Sequence, residues 1–329
     1  MRARNWPVTA VIGAGSAGTM AGAAYGLLVE QSRRARRVIG PLRALPPRAD
    51  GIYQPLPGPP SPADQPPDPR ELSLVMLGDS SAAGLGCADA EDVPGVLLAR
   101  GLAAEAERPV RLRTHAAVGA TSQALDAQVD LALAEAGGRA PDAAVVIVGA
   151  NDVIAKLSPA ASGVRLGATV ARLQRLGTVV VVGTCPDLGA IRPIPQPLRS
   201  VVRTWGLALA REQRMAVLSA GGYPVAVADL LSPEFLTRPE ALFSPDQFHP
   251  SAAGYAAAAE LLLPVLCAGL GVWAGGPLPE PPTKSATAEA ARPTARVTAA
   301  LNRHLYHRAR AGGGAAARLL RLGSRATGQ

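Results

Sequence analysis

Between residues 72 and 267, short apolar runs alternate with longer windows of helical periodicity. The runs are residues 72–77, 110–117, 143–148, 179–183 and 215–218. Their length and aliphatic content are those of buried strands. The windows between them read as helices over 93–106, 122–136, 160–176, 198–213 and 251–267. Asp92 is the expected N-cap of the first, with Pro94 in its first turn. In the second, Leu125, Val129 and Leu133 recur at four-residue spacing. Ser251 opens the last. Such alternation predicts an α/β domain with a parallel sheet of about five strands and helices packed on its faces. In that architecture chemistry belongs just outside the carboxyl ends of the strands.

The ends of the chain have a different character. The net charge of +8 is carried by residues 1–70 and 277–329, and the stretch between them is net acidic. With aromatic residues at 3% there is no interleaved stacking platform, so nucleic acid is not an expected partner. Residues 8–29 hold no charge; Arg2 and Arg4 precede them, and Arg33, Arg34, Arg36 and Arg37 follow. That length suffices to cross a bilayer as a helix. Residues 1–40 are therefore expected to be a membrane segment or signal peptide with basic flanks. The domain is placed at the membrane or cell envelope, on a side the charge pattern leaves open. Within this segment, residues 13–18 match the G-x-G-x-x-G dinucleotide fingerprint. The match has no domain to belong to: 37–39 is the one candidate for a second strand, it ends in Gly40 and Pro41, and no acidic residue closes it. Residues 41–70 are proline-rich and read as an extended linker. Residues 271–329 read as a basic low-complexity tail, disordered or lying on anionic lipid.

Four segments fall at the expected face of the sheet. After the first strand comes Gly78-Asp79-Ser80-Ser81, and after the second Gly119-Ala120-Thr121. After the third comes Gly149-Ala150-Asn151-Asp152, and before the last helix Ser244-Pro245-Asp246-Gln247-Phe248-His249-Pro250. Together they supply what acyl transfer needs. Ser80 is the candidate nucleophile, and His249 the base that takes its proton and returns it to the leaving group. Asp246 reaches the other imidazole nitrogen within one tight turn. The backbone N–H groups of Ser80 and Gly119 and the side-chain amide of Asn151 are candidate oxyanion donors. Asp79, Ser81 and Asp152 read as structural. Asp187, after the fourth strand, competes with Asp246 for the role of triad acid.

These four blocks resemble the SGNH hydrolases, also called the GDSL esterase/lipase family, named for Ser, Gly, Asn and His in separated blocks. GDSSAAGLG relaxes the fourth position of the first block; Gly119, GAND and DQFHP stand for the others. The resemblance covers residues 72–268, with the domain set at 71–270. It is narrowest with membrane- or wall-associated esterases of mycobacteria and related actinobacteria. It implies a flavodoxin-like three-layer α/β/α sandwich and a serine esterase without cofactor or metal. The expected substrate is an acyl ester, of short chain by the scarcity of aromatics, with a lipid or acylated sugar as carrier. Acyl transfer to a sugar or lipid hydroxyl, or O-deacetylation, would use the same site.

Outside the blocks the chemistry-bearing residues are sparse. Cys87, Cys185 and Cys267 have no metal or redox spacing and read as small buried hydrophobes, with room for one disulfide in an exported domain. His115 alternates with Arg111 and Arg113 and is expected on an exposed sheet face. His304 and His307 lie in the tail and make no metal site by themselves.

Overall fold

The computed structural model describes residues 7–280 except 41–44, 57, 63 and 67. In chain order the elements are α1 (Pro7–Ile39), β1 (Gly51–Tyr53), β2 (Leu72–Gly78), α2 (Pro94–Ala106), β3 (Val110–Thr114), α3 (Leu125–Glu135), β4 (Ala143–Ile147), α4 (Ala150–Ile154), α5 (Pro159–Arg175), β5 (Val179–Gly183), α6 (Leu198–Ser219), β6 (Tyr223–Val225), α7 (Val227–Thr237), α8 (Pro239–Leu242) and α9 (Ala252–Gly269). The sheet runs β1-β3-β2-β4-β5-β6, all parallel except β1, which pairs antiparallel with β3 at the edge. Without β1 this is the flavodoxin-like order expected. The chain leaves β2 first toward β3 and then toward β4, so the switch in strand order lies beside the carboxyl end of β2.

Alternation along the strands divides the core in two. Leu74, Met76, Leu112, Val145 and Val181 face Val96, Leu98 and Leu102 of α2 and Leu262 and Leu266 of α9. Val75, Leu77, Val146, Val180 and Val182 face Leu125 and Val129 of α3, Leu166 and Val170 of α5 and Val217 of α6. Strands covered on both faces explain why the runs are continuously aliphatic rather than alternating.

The sheet has six strands where five were expected, and two strand assignments change. Gly51-Ile52-Tyr53, inside the expected linker, forms β1 because Ile52 and Tyr53 bury against the sheet edge. Tyr53 also donates its hydroxyl to the Ala49 carbonyl at 2.6 Å. The apolar run 215–218 is not a strand. It continues α6 to Ser219, and the strand follows Gly221-Gly222 as β6, with Pro224 tolerated at the sheet edge. Asp92 ends a short 3-10 turn, and the residue capping α2 is Val93, with Pro94 as the first helical residue. Ser251 does cap α9, accepting from the Gly254 N–H at 3.3 Å. Residues 13–18 lie within the uninterrupted helix α1, so the glycine motif there is no strand-turn-helix. The expectations for residues 281–329, including His304 and His307, lie outside the described residues.

Two buried glutamines hold the strand ends that face the crevice. Gln128 of α3 accepts from the Gly78 N–H at 2.7 Å and donates to the Gly78 carbonyl at 2.8 Å. Gln213 of α6 accepts from the Cys185 N–H at 2.7 Å and donates to the Val148 carbonyl at 2.8 Å. Each satisfies two backbone groups that leave the ladder in a place water does not reach. Gln213→Leu strands one donor and one acceptor, so it should lower unfolding free energy by about 2–4 kcal/mol in a urea titration.

Candidate active site

The turn after β2 is built on a glycine. Gly78 has φ +125°, and a Cβ there would lie 1.9 Å from the Ile147 carbonyl oxygen. Only glycine lets β2 and β4 end this close together. The Asp79 N–H then donates to that Ile147 carbonyl at 2.9 Å, and the Ala117 N–H to the Gly78 carbonyl at 3.1 Å. These bonds bring the turns after β2, β3 and β4 to one place.

Ser80 is buried in the resulting crevice. Its Oγ lies 3.0 Å from His249 Nε2, and His249 Nδ1 lies 2.6 Å from Asp246 Oδ2. Serine, imidazole and carboxylate thus form one hydrogen-bonded line across 169 residues of sequence separation. The His249 loop is closed on itself. Ser244 N–H donates to the His249 carbonyl, and Gln247 N–H to the Ser244 carbonyl, both at 2.8 Å. Asp246 Oδ1 accepts from Ser244 Oγ at 2.8 Å, Phe248 N–H at 2.8 Å and His249 N–H at 2.9 Å. The loop rests on Gly86, where a Cβ would come within 2.4 Å of the Pro250 carbonyl oxygen. Tyr255 of α9 donates its buried hydroxyl to the Leu85 carbonyl at 2.7 Å, tying the last helix to the serine segment.

The two carboxylates of the site have opposite electrostatics. Burial works to raise the Asp246 carboxyl, but the hydrogen bonds from His249, Phe248 and Ser244 outweigh it and hold it well below the usual carboxylate range. Asp79 is fully buried, and desolvation pushes its carboxyl up to about 6 despite the N–H groups of Ser81 and Gly149 and the nearby His249. The Ser81 N–H reaches Asp79 Oδ1 at 2.9 Å. Asp246 is therefore the carboxylate built to stay ionised beside an imidazole.

The side-chain amide of Asn151 donates to the Ala120 carbonyl at 3.0 Å, which sets Asn151 next to Gly119. Gly119 adopts φ +81° on an exposed turn. The cap of α4 is Gly149, so Asn151 is not that helix's N-cap. Asp152, one residue on, is buried and accepts from the Ser122 N–H at 3.0 Å and Ser122 Oγ at 2.6 Å. Asp187 binds the Gly189 N–H at 2.8 Å and Arg203 at 2.9 Å, and so serves its own loop rather than His249. His115 is not on an open face: its side chain is 11% exposed, with Glu135 at 3.3 Å. The three cysteines are free, and burial raises each thiol.

Sequence reasoning missed Gln128, Gln213 and Ser244. Gln128 carried a signal, since it falls with Leu125, Val129 and Ala132 on the buried stripe of α3. A polar residue on such a stripe needs a buried partner.

Residues 76–257 match the GDSL-like lipase/acylhydrolase family. A GDSL-like esterase of Mycobacterium tuberculosis is 48% identical over 273 residues, covering 83% of this chain and 86% of that one. Among solved structures, a lipase/acylhydrolase from Enterococcus faecalis is 20% identical at TM-score 0.45, covering 58% of this chain and 93% of that one. Axe2, an acetylxylan esterase from Geobacillus stearothermophilus, is 18% identical at TM-score 0.43, covering 61% and 94%.

Asp79 gives a pH-dependent prediction. The folded protein keeps this proton up to about pH 6, whereas an unfolded carboxyl releases it near 3.8. Its contribution to stability is full below the unfolded value and is lost as pH rises through about 6. Asp79→Asn removes that loss while keeping an acceptor for the Ser81 N–H. Its urea midpoint should gain on the wild type as pH is raised from about 4 to about 7; a constant difference would count against the burial of an ionisable Asp79.

Proposed function

The chain belongs to the GDSL-like lipase/acylhydrolase family and is a carboxylic ester hydrolase, and on this footing we propose that it works through Ser80, His249 and Asp246 by way of an acyl-enzyme. The observation that carries this reading is the continuous line from Ser80 Oγ to His249 Nε2 and from His249 Nδ1 to Asp246 Oδ2. Ser80 Oγ attacks the ester carbonyl as His249 takes its proton. Asp246 fixes the tautomer with Nε2 free to accept and balances the imidazolium that forms. The oxyanion is held by the N–H groups of Ser80 and Gly119 and the amide of Asn151. His249 returns its proton to the leaving alkoxide. Water, activated by the same imidazole, then releases the acyl group and restores Ser80.

The acyl groups are short, and their carrier is a lipid or an acylated sugar. A hydroxyl acceptor in place of water would make the same site an acyltransferase, and product analysis with sugar and glycerol acceptors separates the two. The uncharged residues 8–29 with their arginine flank support a location at a membrane or cell envelope.

Ser80→Ala should lower hydrolysis of p-nitrophenyl butyrate by at least about a thousandfold. Asp246→Asn should cost less than either Ser80→Ala or His249→Ala, because nucleophile, base and oxyanion donors remain. Full activity in Ser80→Ala would overturn the assignment.

A further inference from the structure

Among the described side chains, helix α1 is fastened to the domain toward its carboxyl end. The Gln31 side chain donates to the Gln196 carbonyl at 2.5 Å and accepts from the Leu198 N–H at 3.0 Å. Ala35 is buried in a cluster with Val153, Ile194 and Leu209. Nearer the N-terminus this packing ends. Residues 22–27 are all exposed, and a Cβ built on Gly22 or Gly26 would meet nothing within 4 Å. Tyr25 and Leu27 are 45% and 50% exposed. At this boundary the Lys156 ammonium sits 5.5 Å from the Tyr25 ring.

The helix that continues past this boundary is uncharged across residues 8–29. At 1.5 Å per residue that stretch is about 33 Å long, against about 30 Å for the hydrocarbon layer of a bilayer. Its flank says what covers it. Glu30 follows the stretch and pairs with Arg33 at 3.7 Å and Arg37 at 2.9 Å. Arg34 and Arg36 add two further positive charges within the same helix, and Tyr25 and Lys156 sit where the apolar stretch meets the domain. This is the order of groups that crosses from hydrocarbon through an interface to anionic headgroups. A second copy packed parallel would instead set two arginine clusters side by side.

The boundary is also close to the crevice. Lys156 follows α4, and α4 carries Asn151 in its first turn. Lys156 stands two residues past the end of α4, where the backbone turns out of the helix at φ +59°. Val153, on the same helix, shares a cluster with Ala35, and Phe248, the neighbour of His249, packs against that cluster. Ile154, the last residue of α4, is 42% exposed.

We propose that the substrate is an acyl ester resident in a lipid bilayer, and that α1 holds the mouth of the Ser80 crevice against an anionic membrane surface so that the ester reaches it from the headgroup layer. This rests on the esterase reading and adds the substrate's location and the surface that presents it.

The test uses the full chain and two esters. One is soluble p-nitrophenyl butyrate; the other is 1-palmitoyl-2-butyryl-phosphatidylglycerol in phosphatidylcholine vesicles, which carries the same butyryl group on a lipid held in the bilayer. The variant is Ala17→Asp with Met20→Asp, which puts two charges in the middle of the uncharged stretch and replaces no site residue. Wild type should float with the vesicles and hydrolyse the embedded ester. The variant should keep its rate on the soluble ester, stop floating, and lose at least about tenfold on the embedded one. Equal turnover of the embedded ester by both proteins would overturn the proposal. So would wild type that pairs with itself and does not float, or that floats and cuts only the soluble ester. Retained soluble-ester hydrolysis in Ser80→Ala would instead strike the esterase reading itself.

Discussion

The site depends on the convergence of β2 and β4 at their carboxyl ends. There the backbone must leave the ladder in a dry place, and each N–H and C=O freed needs a partner. Gly78 makes the approach sterically possible, and Gln128 takes up both of its backbone groups. Asp79 N–H then spends itself on Ile147, and Ala117 N–H on Gly78. Once these bonds are made, Ser80 has one position, and the turns bearing Gly119 and Asn151 are fixed beside it. The switch in strand order opens the crevice at this point, so fold and site share one cause.

The second half of the site arrives from far along the chain and is organised locally. The 244–250 loop uses one carboxylate oxygen of Asp246 to tie its own backbone and the other to hold the imidazole. An acid that caps its own loop cannot drift from its histidine, and the same bonds keep it ionised. Asp79, one residue from the nucleophile, has the opposite setting, since burial favours its proton. Two carboxylates near one serine are thus told apart by what donates to them.

The α/β alternation was legible because strands covered on both faces leave uninterrupted aliphatic runs, as in Ala143–Ile147 and Val179–Gly183. The sequence also shows Ser80, Asp246 and His249 as candidates, and the structure brings the three together. What escaped was decided by tertiary contact. Residues 215–218 are aliphatic whether they end a helix or form a strand, and only the glycines at 221 and 222 mark the difference. The edge strand Gly51–Tyr53 is too short for any period, and the sheet edge selects it. Gln128 and Gln213 look like ordinary helix residues until the backbone groups they serve are in place. The glycine motif at 13–18 shows the converse: a local pattern carries nothing without the strand and turn around it.

The central claim is that Ser80 carries the acyl group during turnover. Acid quenching of the full-length protein during hydrolysis of p-nitrophenyl butyrate, followed by peptide mass spectrometry, tests it directly. The account predicts a butyryl ester on the peptide containing Ser80, with the modification assigned to that side chain and absent from Ser80→Ala. A butyryl group on another residue, or its presence on the same peptide in Ser80→Ala, would contradict it.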